Sequence, residues 1–329
     1  MGEIAATEVE TTSCLLCGEA ACTPLMQTKD RLCHLPGSFR LVRCDACGLV
    51  YLSPRPTRES MDFYYPKAYD PFLTTSFRDL PLIERLGVRY GLHKRCRLVS
   101  SLLQGGRLLD VGCATGRFLA AMRQIPGWEV MGVEPSPSAA EFARAACGLE
   151  VHVGDLPSAR FPDAYFDIVT MWDVLEHLAA PLETLREVRR VLKSDGYLVI
   201  RTPSLDSLDA RVFGPFWAGL DSPRHLAIFS RRTVTRLLER SGFALRRLRT
   251  GGGSYYHCQL SFRHWLEATV AGARLRRMLQ VLAGWPARLA LALPLALTDA
   301  LGLGSEMLVV ALPASDRGWP PVARDDRLL

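Results

Sequence analysis

Arg107-Leu108-Leu109-Asp110-Val111-Gly112-Cys113-Ala114-Thr115-Gly116-Arg117-Phe118-Leu119 reads as one strand, a glycine turn and the start of a helix. The apolar run before Gly112 has the length and content of a buried strand, and the residues after Gly116 begin an amphipathic period. In open α/β sheets a first strand-to-helix turn of this kind lies outside the carboxyl ends of the strands, where ligands bind. A dinucleotide fingerprint needs G-x-G-x-x-G, but counted from Gly112 this chain has Ala114 and Arg117 at the second and third glycines. A pyrophosphate is therefore poorly served. An acidic residue before the turn, a Gly-x-x-x-Gly loop and Glu134 at the end of the next strand suit a nucleoside bearing a cation.

Outward from this turn, apolar strand-like runs alternate with amphipathic helices. The runs are Arg107 to Gly112, Glu129 to Glu134, Glu150 to Val153, Phe166 to Trp172 and Gly196 to Thr202, with Glu306 to Leu312 as a closing strand. Alternation of this kind predicts a parallel sheet covered on both faces. Between Pro181 and Lys193, Leu182, Leu185, Val188 and Leu192 share one helix face, and Ser230 caps a further helix that Gly242 ends.

The stretch LLDVGCATGRFL resembles motif I of the class I S-adenosylmethionine-dependent methyltransferases, and its neighbours follow in that family's order over roughly residues 85–250. FDIVTMWDVLEHL resembles the fourth-strand motif, and LKSDGYLVIRTPS the helix-turn-strand after it. The resemblance implies an α/β fold, a Rossmann-like seven-stranded methyltransferase sheet, with S-adenosyl-L-methionine as cofactor. It implies that Asp110, Gly112, Cys113 and Gly116 form the cofactor turn and that Glu134, followed by Pro135, holds the ribose hydroxyls. It places Asp155 and Leu156 at the adenine and Trp172 at the end of the fourth strand. A carboxylate that accepts two hydroxyls gains about 1.5–3 kcal/mol from each charge-assisted bond.

Ahead of this core stand two matching knuckles, Cys14-Leu15-Leu16-Cys17-Gly18 and Cys44-Asp45-Ala46-Cys47-Gly48, with 26 residues between them. Each C-x2-C turn brings two thiolates to one ion, and two turns complete a tetrahedral sulfur shell. A structural zinc ion held by Cys14, Cys17, Cys44 and Cys47 is expected, because a module of this size cannot bury enough surface to fold securely alone. Four thiolates leave no open coordination position. Cys22, Cys33 and His34 lie between the knuckles and are the alternative ligands, while Cys96, Cys113, Cys147 and Cys258 read as ordinary thiols. The expected organisation is a zinc-ribbon module and linker over 1–75, a methyltransferase domain over 76–313 with a helical insertion at 251–305, and a flexible tail over 314–329. The aromatics Phe63, Tyr64, Tyr65 and Tyr69 read as packing between the modules.

The 329 residues carry a net charge of +6, modest for a dedicated nucleic-acid binder. The amino terminus lacks a basic region followed by an apolar run, so a cytoplasmic location is expected. Arg232, Arg236 and Arg240 form a basic stripe, with Arg246, Arg247 and Arg249 beyond, and read as a solvated face. The 251–305 insertion mixes arginines, tryptophans and leucines, which raises peripheral membrane contact or burial as its two uses.

The loop Ser204 to Phe229, with Trp217, Asp221, Arg224 and His225, is the expected wall for a small-molecule substrate. His225 is the candidate general base, with His177 beside Glu176 as the other contender. The expected function is methyl transfer from S-adenosylmethionine to a sugar, a natural-product intermediate or a lipid-linked intermediate. The alternatives are a zinc-ribbon RNA methyltransferase, disfavoured because the fourth strand ends Met171-Trp172-Asp173-Val174 rather than Asn-Pro-Pro-Tyr, and a cofactor-binding assembly protein without turnover. Oligomeric state is not legible in the sequence.

Overall fold

A computed structural model describes residues 8–66, 82–251, 253–282 and 285–314. The expected boundary near residue 75, Tyr69 and the tail over 315–329 lie outside the described residues.

The amino-terminal part contains β1 (Val9–Glu10), β2 (Cys22–Thr28), β3 (Phe39–Cys44), β4 (Val50–Leu52) and β5 (Arg55–Pro56), followed by the single turn α1 (Arg58–Met61). β3 buries Phe39, Leu41, Val42 and Cys44 and leaves Arg40 and Arg43 exposed, so its residues enter two apolar clusters. The long α2 (Leu82–Leu102) then leads into the alternating core. Its elements are β6 (Gly106–Val111), α3 (Arg117–Met122), β7 (Trp128–Glu134), α4 (Pro137–Cys147), β8 (Glu150–Val153), β9 (Phe166–Trp172), α5 (Pro181–Val191) and β10 (Leu192–Pro203). After β10 come α6 (Leu208–Phe213), β11 (Ala227–Ile228), α7 (Arg231–Arg240), β12 (Phe243–Thr250), α8 (Ser254–Thr269), α9 (Ala273–Leu282), α10 (Trp285–Ala300) and β13 (Glu306–Pro313).

Seven strands form one sheet in the order β12-β13-β10-β9-β6-β7-β8. β6, β7, β8, β9 and β10 run parallel, while β13 is antiparallel to both β10 and β12. The five parallel strands are those expected from the alternation, and the whole is the Rossmann-like seven-stranded methyltransferase sheet that the resemblance implies. Leu108, Leu109, Ile168, Val169, Val199 and Ile200 are completely buried, which is the signature of central parallel strands covered on both faces. β12 is absent from the strands read in the sequence: Arg246, Arg247 and Arg249, grouped there with a basic stripe, lie on this edge strand. Arg232 and Arg240 of that stripe are exposed on α7, whereas Arg236 donates to the main-chain oxygen of Cys47 at 3.4 Å.

The loop Ser204 to Phe229 also supplies a strand to the amino-terminal sheet, whose order is β11-β4-β3-β2. Ala227 pairs with Tyr51 and Ile228 with Val50. One apolar cluster joins Phe39, Leu41, Leu52 and Tyr64 to Trp217, Leu220, Leu226 and Ile228. The ribbon is thus sewn to the catalytic sheet by main-chain pairing and shared core. In the insertion, α8 buries His257, Ser261, His264 and Leu266 and packs against α6. Among the described residues no helix is long and apolar enough to cross a membrane.

Candidate functional site

The turn after β6 is built around glycines that no other residue replaces. Gly112 has φ +71°, and a Cβ there would stand 2.5 Å from Cγ2 of Val174. Gly116 has φ +74°, and its Cβ would meet Cδ1 of Leu149 at 2.4 Å. Both the left-handed backbone and the lack of space exclude a side chain. Gly132 on β7 leaves room for the neighbouring side chain in the same way: a Cβ there would lie 2.5 Å from the sulfur of Cys113.

Two buried carboxylates face this turn from below. Asp110 ends β6 at 3% exposure and accepts a 2.6 Å hydrogen bond from the Thr170 hydroxyl of β9. Burial pushes its carboxyl up to about 7, the Thr170 bond opposing. Glu134 ends β7, equally buried, and accepts from the amides of Ala114 and Ser136, each at 2.8 Å. Burial raises its carboxyl above the ordinary range while these two amides pull it back. Each oxygen of Glu134 keeps one further lone pair, enough to accept a pair of hydroxyls. The buried thiol of Cys113 is driven up by burial and by both carboxylates.

The remaining residues expected at the cofactor are arranged less uniformly. Trp172 is 8% exposed at the end of β9, packs edge-on against Phe118 at 5.4 Å, and leaves its indole nitrogen unpartnered and buried. Pro135 is exposed beside Glu134. Leu156 is buried in the core, whereas Asp155 accepts from the Ser158 amide at 3.1 Å and so caps a short turn. The Ser158 bonds hold its carboxyl below the usual range. Sequence reasoning missed Arg95, on α2, whose guanidinium lies 5.0 Å from the Trp172 ring centre and 3.7 Å from Asp173. Asp173, at φ +59°, also ion-pairs with Arg201 of β10. No local pattern marks Arg95, because its partners, Trp172 and Asp173, stand at the far end of β9.

Val174, which fills the space above Gly112, is followed directly by the turn Leu175–His177. Glu176 is buried, accepts from the Thr202 hydroxyl at 2.9 Å through one oxygen, and leaves the other without a partner. The amide of Leu226 donates to the main-chain oxygen of Glu176 at 2.8 Å and ties the substrate loop to this turn. His177 and His225 meet edge to face with ring centres 4.6 Å apart. Their Nδ1 atoms lie 3.0 Å from the Arg224 carbonyl and 2.8 Å from the Gly219 carbonyl, respectively, which assigns Nδ1 as the donor in each ring. Burial lowers His177 to about 3, with His225 adding to the shift and Asp221 opposing it; burial also lowers His225.

The ribbon reaches into the same place. Arg224, completely buried, donates to both oxygens of Asp30 at 2.9 Å, to Asp221 at 2.6–3.1 Å, and to the Tyr64 carbonyl at 2.9 Å. The Tyr65 hydroxyl stands 3.1 Å from Nδ1 of His177. Tyr64 packs between modules as the sequence suggests, but Tyr65 touches the site. Trp217 does not line an open wall: it is buried, and its indole donates to Asp209 at 2.9 Å.

In the ribbon itself, the sulfurs of Cys14 and Cys47, and of Cys17 and Cys44, are 3.4 Å apart, and all four lie within 4.8 Å of one another. A tetrahedron with bonds of about 2.3 Å has edges of about 3.8 Å, so the donor set fits zinc. Gly18 and Gly48, at φ +79° and +81°, close the two knuckles with matching amide bonds to the carbonyls of Cys14 and Cys44. Cys22 and Cys33 do not join this cluster, and exposed His34 faces Glu267 at 3.9 Å.

Sheet order, glycine turn and paired carboxylates define a class I S-adenosylmethionine-dependent methyltransferase fold. Residues 87–248 match the family model described as a methyltransferase domain. Over 112 residues the chain is 35% identical to an uncharacterised methyltransferase of Schizosaccharomyces pombe, covering 30% of this chain and 40% of that protein. It is 29% identical over 177 residues to indolepyruvate C-methyltransferase of Streptomyces griseus, covering 49% of this chain and 53% of that one. A solved SAM-dependent methyltransferase of Thermotoga maritima, described as a possible histamine N-methyltransferase, is similar at 20% identity. It covers 68% of this chain and 89% of that chain, with a TM-score of 0.46. The chain spans about half or less of the length of the curated relatives it matches.

Proposed function

We propose that this protein transfers the methyl group of S-adenosylmethionine to a small molecule: a sugar, a natural-product intermediate or a lipid-linked intermediate. The observation that carries the reading is the packing of Val174 over Gly112. It places the Glu176-His177 turn, and through it His225, directly beside the glycine turn and its two carboxylates. A cofactor side and an acceptor side thereby adjoin. The name of indolepyruvate C-methyltransferase supports a small acceptor.

In this reading Asp110, Gly112, Cys113 and Gly116 form the cofactor turn, Glu134 accepts the ribose hydroxyls beside Pro135, and Asp155, Leu156 and Trp172 flank the adenosine. Bound S-adenosylmethionine supplies a methyl group already activated on a sulfonium. The protein's share is then alignment of the acceptor, exclusion of water and removal of a proton where the acceptor is a weak acid. His225 has its Nδ1 proton committed to Gly219. Its other nitrogen takes the proton that leaves the acceptor, and His177 holds the ring edge-on. The four ribbon thiolates hold a structural zinc ion that fixes β4, the strand against which the His225 loop is paired.

The testing experiment incubates purified protein with methyl-labelled S-adenosylmethionine and an extract of its host, then partitions the label among lipid, soluble, RNA and protein fractions. Label in the soluble or lipid fraction supports the small acceptor. Label in RNA overturns it in favour of an RNA methyltransferase, and absence of label in all four favours a binding protein without turnover.

A further inference from the structure

Three ligand-bearing side chains converge at the acceptor side. Glu176, His177 and His225 each offer one ligand atom, and these atoms lie within 4.8 Å of one another. Their surroundings are those of a prepared cation site. Each imidazole gives its Nδ1 proton to a main-chain carbonyl, of Arg224 for His177 and of Gly219 for His225, which leaves the Nε2 lone pair as the available donor. Ligating histidines are oriented in this way by outer hydrogen bonds. Glu176 is 1% exposed, and its Oε2 is anchored by Thr202 while Oε1 is buried with no hydrogen-bond partner. A buried carboxylate oxygen without a donor is costly, and a cation removes that cost.

The two segments that carry these ligands are also fixed to each other. Leu226, next to His225, donates its amide to the carbonyl of Glu176 at 2.8 Å. Arg224, on the other side of His225, is clamped by Asp30 and Asp221. The triad is therefore held by main-chain bonds and a buried ion cluster rather than by flexible side chains alone.

We propose that Glu176, His177 and His225 bind one divalent transition-metal cation, distinct from the zinc of the ribbon. Two neutral imidazoles and one carboxylate suit ions of intermediate hardness and leave coordination positions open. Bonds to such ligands are about 2.0–2.2 Å, so small side-chain rotations close the present spread onto one ion. The site exists whether or not methyl transfer occurs. If it is filled, it changes one element of the preceding reading: His225 then holds a cation that orients an acceptor oxygen, instead of taking the proton itself.

The test uses full-length protein with its ribbon loaded with zinc, titrated with cobalt(II) by calorimetry and by visible absorption. The expected result is one further cobalt per chain, bound without the thiolate-to-cobalt charge-transfer band that sulfur ligation produces. Glu176→Gln and His225→Asn should each weaken this uptake at least tenfold, while S-adenosylmethionine affinity, measured on the same samples, reports that each variant is folded. No cobalt uptake beyond the ribbon overturns the proposal. So does wild-type affinity in a folded Glu176→Gln or His225→Asn protein, or a thiolate band accompanying the uptake. Loss of S-adenosylmethionine binding in wild-type protein would instead remove the methyltransferase reading and leave the metal result standing.

Discussion

Replacing Asp30 by Ala tests whether the ribbon and the catalytic sheet are one cooperative body. Asp30 is 2% exposed and Arg224 completely buried, and their side chains meet through two hydrogen bonds of 2.9 Å. The same carboxylate also accepts from the amides of Leu32 and Cys33 at 3.0 and 2.8 Å. Removing one member of a buried ion pair leaves an uncompensated charge and costs about 3–5 kcal/mol. Arg224 retains Asp221 and the Tyr64 carbonyl, which places the expected loss near the lower end. For a domain of this size 1 kcal/mol shifts Tm by about 2–4 °C, so a fall of roughly 6–12 °C follows from about 3 kcal/mol. The assay is urea unfolding at pH 7 with zinc held constant, followed by tryptophan fluorescence; Trp217, buried in the apolar cluster shared by both parts, is a local reporter. A loss under about 1 kcal/mol, the range of an exposed ion pair, would refute the reasoning.

Glu134→Ala removes both the acceptor for the ribose hydroxyls and the clamp on the amides of Ala114 and Ser136. Its affinity for S-adenosylmethionine should fall at least tenfold by calorimetry, and unchanged affinity would remove the ribose assignment. Elemental analysis should find about one zinc per chain and none when Cys14 and Cys44 are both Ser. Asp110 provides a pH test. Its folded pKa, about 7, exceeds the ordinary 3.8, so its protonated form favours folding; that contribution is complete below about pH 4 and is lost as pH rises to about 7. Asp110→Asn, which cannot titrate, should therefore lose less stability than wild type across that interval in paired urea titrations, and parallel stability curves would count against a buried, raised Asp110.

Much of this architecture is local enough to be written in the sequence. The strands ending in Asp110-Val111, Glu134 and Trp172 are apolar runs with glycine or proline punctuation, and they stand where the alternation puts them. The ribbon knuckles are likewise short-range: two C-x2-C-G turns bring their sulfurs together. What escaped the sequence is long-range or of mixed character. Phe243–Thr250 reads as a basic segment because an edge strand needs only a partly covered face and tolerates three arginines. β11 is two residues long, and its partner Tyr51 lies 176 positions away in the chain. Asp30 and Arg224 are separated by 194 positions, so neither carries a local sign of the other. Tyr65 sits in an aromatic run in which its neighbour Tyr64 is buried, and nothing in that run distinguishes the hydroxyl that reaches His177.

These long-range contacts explain how the ribbon comes to hold the loop that carries His225. The loop from Ser204 to Phe229 is long, and a free loop could not hold two imidazoles at a fixed angle, because each ordered residue costs about 1–2 kcal/mol of backbone entropy. Here the loop is pinned at three points: β11 pairs with β4, Arg224 is locked to Asp30, and Leu226 is bonded to Glu176. Two of these anchors belong to the ribbon, whose own small core includes Cys14, Cys44 and Cys47 and is continuous with Leu237 and Leu238 of α7. The clustered thiols of the two knuckles lie next to β3 and β4, and β4 fixes the strand that follows His225 by two residues. A ribbon tethered only for recruitment would need none of these bonds.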